Sequence, residues 1–250
     1  MAIEQTSNQE NQAFIFAAGR GKRMRPLTDI TPKPLLKIHN KPLIEWAMDG
    51  LHRSGIERVL INTAWLGDQV STTFGTSYLP HGSTTPCKLT YSHEGLDFGH
   101  ALETAGGVVR ALPALEDIFW VLAGDVFAPS FTFDPAALRR FTLSAKLAHI
   151  WLVPNPSHNL EGDFGLSPKG LALNSSDIKW TYSTIGLYRK ALFASPYCQI
   201  VPGNPYGQSA PLAPLLRSAI QKDLVSAEIF NGAWTDVGTP ERLSALNSQR

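Results

Sequence analysis

Short apolar runs alternate along this chain with stretches of helical period. "AFIFAA" (13–18) has no polar break and reads as a strand buried on both faces. From Pro42 to Ser54, "PLIEWAMDGLHRS" puts Leu43, Trp46, Ala47 and Leu51 on one helical face, with Gly55 as the stop. "VLIN" (59–62) predicts a second strand, 66–74 a helix, "KLTYS" (88–92) a third strand and 103–111 another helix. "FWVLAGD" (119–125) is a fourth strand with a polar exit, and "AKLAHIWLV" (145–153) a fifth. Further on, "GLSPKGLAL" (165–173) predicts a hairpin turning on Pro168-Lys169-Gly170. "TYSTIGLYR" (181–189) predicts another strand, and 212–222 and 240–248 predict helices.

This alternation predicts an α/β fold: a single Rossmann-like, mixed but mostly parallel sheet with helices on both faces. The short strands of the second half predict a small β-rich lobe over its crevice. Ligands of such sheets bind at the carboxyl ends of the strands. Gly19, Asn62 and Asp125 all stand at such ends.

No Pro/Gly/Ser-rich linker or charge block divides the 250 residues, so one domain is expected over 13–250. Residues 1–12, "MAIEQTSNQENQ", are polar, lack the apolar core of a signal peptide and read as a flexible tail. A formal net charge of +1 argues against a general nucleic-acid or membrane binder. No apolar run approaches the ~20 residues that cross a bilayer. The two cysteines, Cys87 and Cys198, make neither a disulfide framework nor a metal spacing, and read as free thiols of a cytoplasmic protein. Oligomeric state is not legible.

Against this near-neutral background, "AFIFAAGRGKRMRPLTDITPKP" (13–34) concentrates Arg20, Lys22, Arg23, Arg25 and Lys33 behind Gly19 and Gly21. Glycines after a strand let backbone N–H groups approach phosphate oxygens, and cations then offset the remaining charge. A glycine turn followed by a solvated basic loop is the alternative. Met24 stands where a dinucleotide fingerprint has its third glycine, and no P-loop occurs. Asp125 in "AGD" and Asp236 in "WTD" read singly as turn or cap residues. Converging at about 4 Å, they would repel by about 4 kcal/mol at an effective dielectric of 20, a penalty that a divalent cation removes. There is no G-x-S-x-G elbow and no H-E-x-x-H, and the seven histidines are scattered and read as structural or surface residues.

"GRGKRMRPLT" followed by "PKP" resembles the signature of the sugar-1-phosphate nucleotidyltransferases. The resemblance implies a loop of Ala17, Ala18, Gly19, Gly21 and Lys22 wrapped around a nucleoside triphosphate. It implies catalytic roles for Arg23, on the β- and γ-phosphates, and for Lys33, exposed at the reacting centre. "LETAGG" (102–107) resembles the base-binding segment, which implies contacts at Glu103, Gly106 and Gly107, with Glu94 just upstream also facing the base. "LAGDV" and "WTDVGTPERL" resemble the two metal-binding stretches, implying Mg²⁺ on Asp125 and Asp236. The attacking sugar phosphate is already ionised, so alignment and charge neutralisation suffice without a general base.

The chain ends soon after "TDVGT", which leaves compact members of the family as the expectation. "INTAWLGDQV", "YSHEG" and "NPSHNLEGDFGL" are similar to the members that join UTP to N-acetylmuramate α-1-phosphate in bacterial peptidoglycan recycling. Ala123, Pro154 and Thr184 depart from that pattern, where asparagine, aspartate and glycine are usual. Glucose-1-phosphate or a phospho-alcohol as acceptor, and a silent nucleotide-sensing paralogue, are the alternatives. Asn62, Trp65, Glu161, Gly162 and Asp163 are the candidate sugar-binding residues. Asn62 also reads as a turn cap, Trp65 as packing beneath the loop, and Asp163 as the organiser of its own turn. Lys169, Lys179 and Arg189 are the cations nearest in sequence that could offset the muramate carboxylate.

Overall fold

A computed structural model describes residues 11–248. Eight strands form the central sheet: β1 (Gln12–Phe16), β2 (Arg58–Thr63), β3 (Ser77–Tyr78), β4 (Cys87–His93), β5 (Ile118–Ala123), β6 (Ala148–Val153), β7 (Thr181–Arg189) and β8 (Val225–Ile229). Their order is β8-β6-β7-β5-β1-β2-β4-β3. β7 runs antiparallel to both neighbours and β3 antiparallel to β4; the remaining pairings are parallel. The sheet is thus mixed and mostly parallel, as expected. In β1 the alternation is direct, with Phe14 in the core on one face and Ala13 and Ile15 in the core on the other. Helices α4 (Glu103–Ala111) and α6 (Leu212–Ile220) cover the first face. Helices α1 (Leu43–Arg53), α2 (Gly67–Phe74) and α5 (Pro135–Thr142) cover the second. α3 (Glu94–Phe98) follows β4, and α7 (Pro240–Ser248) closes the described chain.

Several local readings are matched. α1 ends in a Schellman motif, with Gly55 N donating to His52 O (2.9 Å) and Ile56 N to Leu51 O (3.0 Å). Gly55 takes φ +75°, a conformation that costs other residues. The hairpin turns on Pro168-Lys169-Gly170, pairing Gly165–Leu166 with Ala172–Leu173. Cys87 and Cys198 are free and buried.

Three expectations need correction. The first ten residues of the expected tail lie outside the described residues, but Gln12 belongs to β1 and is only 3% exposed. Its side-chain amide donates to Ala114 O and accepts from Glu116 N, contacts a hundred residues away. The expected β-rich lobe shrinks to the two-residue hairpin ladder, because 181–189 is a central strand between β6 and β5. β8 was not foreseen; "VSAEI" is the edge strand, paired to β6 on one side and met on the other only by a bridge from Leu171 to Ser226, so three of its five positions stay partly exposed and its apolar signal is weak.

At the β6–β8 seam, His149 Nδ1 lies 2.8 Å from Ser226 Oγ, and its ring packs edge-on against Trp151. Burial, with the Arg140 charge, holds the imidazole down to about 4 from an ordinary 6.5. A depressed histidine stabilises the neutral fold above its ordinary value, and that stability is lost as pH falls through the folded value. Thermal midpoints measured between pH 7 and pH 4 should therefore fall, with His149 contributing at most about 3 kcal/mol. His149→Gln should flatten this slope; an unchanged slope removes His149 from the acid response.

Candidate active site

The parallel strands end together. Phe16 pairs with Asn62 of β2 and with Ala123 of β5, so 17–19, Asn62 and 124–125 leave the sheet side by side. They open into a cavity of about 610 Å³, within the usual size of a ligand site. Ala17, Ala18, Gly19, Lys33, Asn62, Glu103, Asp125 and Asp163 line it, all of them residues singled out from the sequence.

The floor is held by a buried relay. Ala17 N donates to Asn62 Oδ1 (2.8 Å), and Asn62 Nδ2 donates to Glu94 Oε1 (2.7 Å). Leu102 N donates to Glu94 Oε2 (2.7 Å). Glu94 has no solvent exposure and is absent from the cavity lining. It joins the loop after β1 to the start of α4 instead of facing a base. Burial pushes its carboxyl above the usual carboxylate range, against the pull of the Leu102 amide and Asn62. Gly106 and Gly107 do not line the cavity either. A Cβ on Gly107 would lie 2.7 Å from Glu94 Oε1 and 2.8 Å from Asn62 Nδ2, and one on Gly106 would lie 2.5 Å from Gln208 O. Glycine here lets α4 close over the relay.

The basic loop divides its cations. Arg20 donates to Thr28 O (2.9 Å) and Asp29 (2.7 Å), and Arg25 Nε donates to the same carboxylate (2.8 Å). Arg20, foremost, holds the Asp29 carboxyl below its usual range. Gly21, at φ +65°, carries the turn, and its carbonyl accepts from Thr28 Oγ1 (2.8 Å). Trp65 does not reach the cavity. Arg20 stacks 3.7 Å above its ring and Trp65 Nε1 donates to Thr28 O (2.9 Å), so Trp65 braces the loop from outside. Met24, fully buried, packs with Leu36, Ile38, Leu43, Val237 and Leu246, anchoring the loop next to the Asp236 segment. Lys22 and Arg23 stay exposed, with no carboxylate partner among the described residues.

Lys33 opens a single 3₁₀ turn after Pro32 and forms an ion pair with Asp125. Its side chain is only 12% exposed, more sheltered than expected. Asp125 is the turn residue just before the short strand Val126–Phe127, which pairs with Thr235–Asp236, and Val237 N donates to Asp125 O (2.9 Å). Arg242 Nη1 donates to Asp236 Oδ2 (2.7 Å). His158 Nε2 stands 3.0 Å from Asp236 Oδ1, so this histidine belongs at the site, contrary to the sequence reading. Asp236 Oδ1 is shielded from solvent and takes no aligned hydrogen bond. Among the described residues no cluster of three His, Cys, Asp or Glu side chains forms.

The far wall comes from β7, α6 and the segment before the hairpin. Asp163 lines it while accepting from Tyr182 N (2.8 Å). Glu161 and Gly162 do not reach it: Glu161 is exposed, and a Cβ on Gly162 would meet the Lys179–Trp180 backbone at 2.7–2.8 Å. Thr184 lines the cavity at a bulge of β7, with φ +63°. That φ suits glycine, and a β-branched residue holds it only under strain. Glu103, at φ +59°, is a second strained lining residue. Tyr182, Leu212, Leu216 and Arg217 also line this wall and were not foreseen. They sit inside ordinary strand and helix patterns, which carry no chemical signal.

The nucleotidyl transferase family profile matches residues 12–166. The chain is 41% identical to the N-acetylmuramate alpha-1-phosphate uridylyltransferase of Neisseria meningitidis serogroup B, over 93% of this chain and 95% of that protein. It is 34% identical to a UTP–glucose-1-phosphate uridylyltransferase of Synechocystis, over 46% of this chain and 30% of that protein. Its fold matches a solved structure from Bacillus anthracis, described as a glucose-1-phosphate thymidylyltransferase, at TM-score 0.72 and 20% identity, over 95% of this chain and 94% of that one.

Glu94→Gln replaces one of two acceptor oxygens by a donor facing a donor. It should cost about 1–3 kcal/mol of stability. It should also raise the KM for nucleoside triphosphate, because the loop after β1 loses its tether. Chemical denaturation and initial-rate kinetics read both; an unperturbed variant would show that the relay positions nothing.

Proposed function

The chain belongs to the nucleotidyl transferase family, and within it we propose that the chain from Gln12 onward forms one domain that joins UTP to N-acetylmuramate α-1-phosphate, giving UDP-N-acetylmuramate and pyrophosphate. The observation that carries this reading is the match to a muramate uridylyltransferase over nearly the whole of both chains. The glucose-1-phosphate enzyme matches less than half of this chain. Such a step belongs to peptidoglycan recycling in the bacterial cytoplasm. No helix among the described residues is long and apolar enough to cross a membrane.

In this reading the loop 18–22 receives the triphosphate on its backbone N–H groups, the Ala17 N–H being held by Asn62. Lys22 and Arg23, left without internal partners, take the β- and γ-phosphates. The start of α4 at Glu103 meets the pyrimidine, and Asn62 and Asp163 contact the sugar. The ionised phosphate oxygen of the sugar attacks the α-phosphorus in line, that new P–O bond forms, and the bond to the leaving pyrophosphate breaks. Lys33, held against Asp125, stabilises the charge that develops at the α-phosphate, and being already in place it does so without reorganising.

The two carboxylates suit a hard divalent cation, because Asp236 Oδ1 is a buried anionic oxygen that has only His158 Nε2 nearby, at 3.0 Å and without an aligned hydrogen bond. Asp125 and Asp236 would hold Mg²⁺, with phosphate oxygens and water completing its shell. When bound, the ion would supply charge neutralisation at the α-phosphate. His158 and Arg242 hold the Asp236 side chain in place.

Pyrophosphate release measured with four nucleoside triphosphates and a set of sugar-1-phosphates tests the reading. UTP with N-acetylmuramate α-1-phosphate should give the highest kcat/KM. Glucose-1-phosphate or N-acetylglucosamine-1-phosphate used as efficiently would end the muramate assignment.

Lys33→Ala should lower kcat by about 10²–10³, the size of a typical lost electrostatic stabiliser. Chelation should abolish turnover and Mg²⁺ should restore it, while the thermal midpoint of the apo chain stays put. Asp125→Asn and Asp236→Asn should each shift the Mg²⁺ requirement upward. Full activity in excess chelator would refute the carboxylate site.

A further inference from the structure

N-acetylmuramate is N-acetylglucosamine with a lactyl ether on O3, so its α-1-phosphate carries a second anion on the side of the sugar remote from C1. An enzyme selective for it needs a cation in that part of the site. Lys169, Lys179 and Arg189 are closest in sequence to the sugar segment, but none lines the cavity. Arg189 is engaged elsewhere, donating to Asp117 Oδ2 (3.1 Å) and approaching the carbonyls of Phe141 and Ser144.

Among the described residues two cationic side chains line the cavity, Lys33 and Arg217. Lys33 is committed to Asp125 at the phosphate end. Arg217 lies on α6 in the far wall, and no carboxylate comes within ion-pair distance of it among the described residues. Its guanidinium carbon stands 4.9 Å over the Phe164 ring, and Phe164 is itself buried in the wall beside Asp163. Arg217 Nη1 is 3.5 Å from Asn174 Oδ1, while Asn174 Nδ2 donates to Arg217 O (2.9 Å). The fork is thus oriented on an aromatic face with most of its N–H groups unspent. The other charged group of this wall, the Asp163 carboxylate, is repulsive to an anion.

We propose that Arg217 is the specificity-determining residue of this enzyme, binding the lactyl carboxylate of N-acetylmuramate α-1-phosphate through its guanidinium fork. The proposal rests on the muramate reading and names the group that enforces it. A planar guanidinium matches a carboxylate in two parallel hydrogen bonds, a geometry that lysine cannot reproduce. Phe164 supplies the flat support that keeps the fork in register.

The test uses the full chain with saturating UTP and Mg²⁺. It compares kcat and KM for N-acetylmuramate α-1-phosphate and N-acetylglucosamine α-1-phosphate in wild type, Arg217→Gln and Arg217→Lys. Arg217→Gln should lower the muramate-to-glucosamine ratio of kcat/KM by about 10–100-fold, the range of a lost charge-assisted pair. The loss should appear in KM for the muramate substrate, and Arg217→Lys should recover part of the ratio. A ratio within twofold of wild type in Arg217→Gln, or, in a second series with UTP varied at saturating sugar phosphate, a loss that falls on KM for UTP, overturns the role of Arg217 and leaves the muramate reading standing. A wild-type enzyme that uses both sugars equally overturns the muramate reading, and this inference with it.

Discussion

A carboxylate without solvent exposure, Glu94, is the constraint on which the site depends. Its two oxygens accept from Asn62 Nδ2 and Leu102 N, and Asn62 in turn accepts from Ala17 N. One buried acid thereby fixes the spacing between the loop after β1 and the start of α4, the two segments that frame the cavity floor. Leaving any of these donors unmet in so dry a place would cost about 1–3 kcal/mol each. The glycine pair at 106–107 follows from the same constraint, since side chains there would collide with Glu94, Asn62 and the 208–210 segment. The strained backbone of Glu103 begins one residue after the Leu102 amide that Glu94 captures.

The positive charge of the basic loop has two uses. Arg20 and Arg25 close on Asp29, and Trp65 stacks on Arg20, so this part of the loop makes its own scaffold. Lys33 meets Asp125, and Met24 is sunk in a small core shared with Val237 and α7. What remains available is Lys22 and Arg23, both exposed. A Cβ on Gly238 would lie 3.2 Å from Arg23 Nη2 and 2.9 Å from Arg242 Nη1, so glycine admits both guanidinium groups beside Asp236. The loop and the second aspartate are thus built as one unit although more than two hundred residues separate them.

The two walls of the cavity have different origins. One is the carboxyl edge of β1, β2 and β5, where short loops leave parallel strands in register. The other is assembled from β7, α6 and the 163–164 segment. The bulge of β7 turns Thr184 into the cavity wall and forces it into a backbone conformation that glycine holds more easily. Arg217 reaches the same wall from α6, whose apolar face packs in the same half of the core as Phe164 and Tyr182.

The alternation of apolar runs and amphipathic stretches sufficed for the mixed, mostly parallel sheet and for most of its helices, because burial on two faces leaves a period that a sequence carries openly. The basic loop and both aspartates were legible for a different reason: their residue types are costly unless something nearby offsets them. What the sequence could not disclose was which partner each side chain takes. Glu94 and Trp65 have the composition of ligand contacts, yet one is sealed inside the floor and the other braces a loop. His158 and Arg217 look like ordinary surface residues, yet folding brings one to Asp236 and the other into the cavity wall. Local pattern determines which face of an element is buried; only the tertiary packing decides what lies across from it, because those contacts join positions tens to hundreds of residues apart and leave no periodic trace.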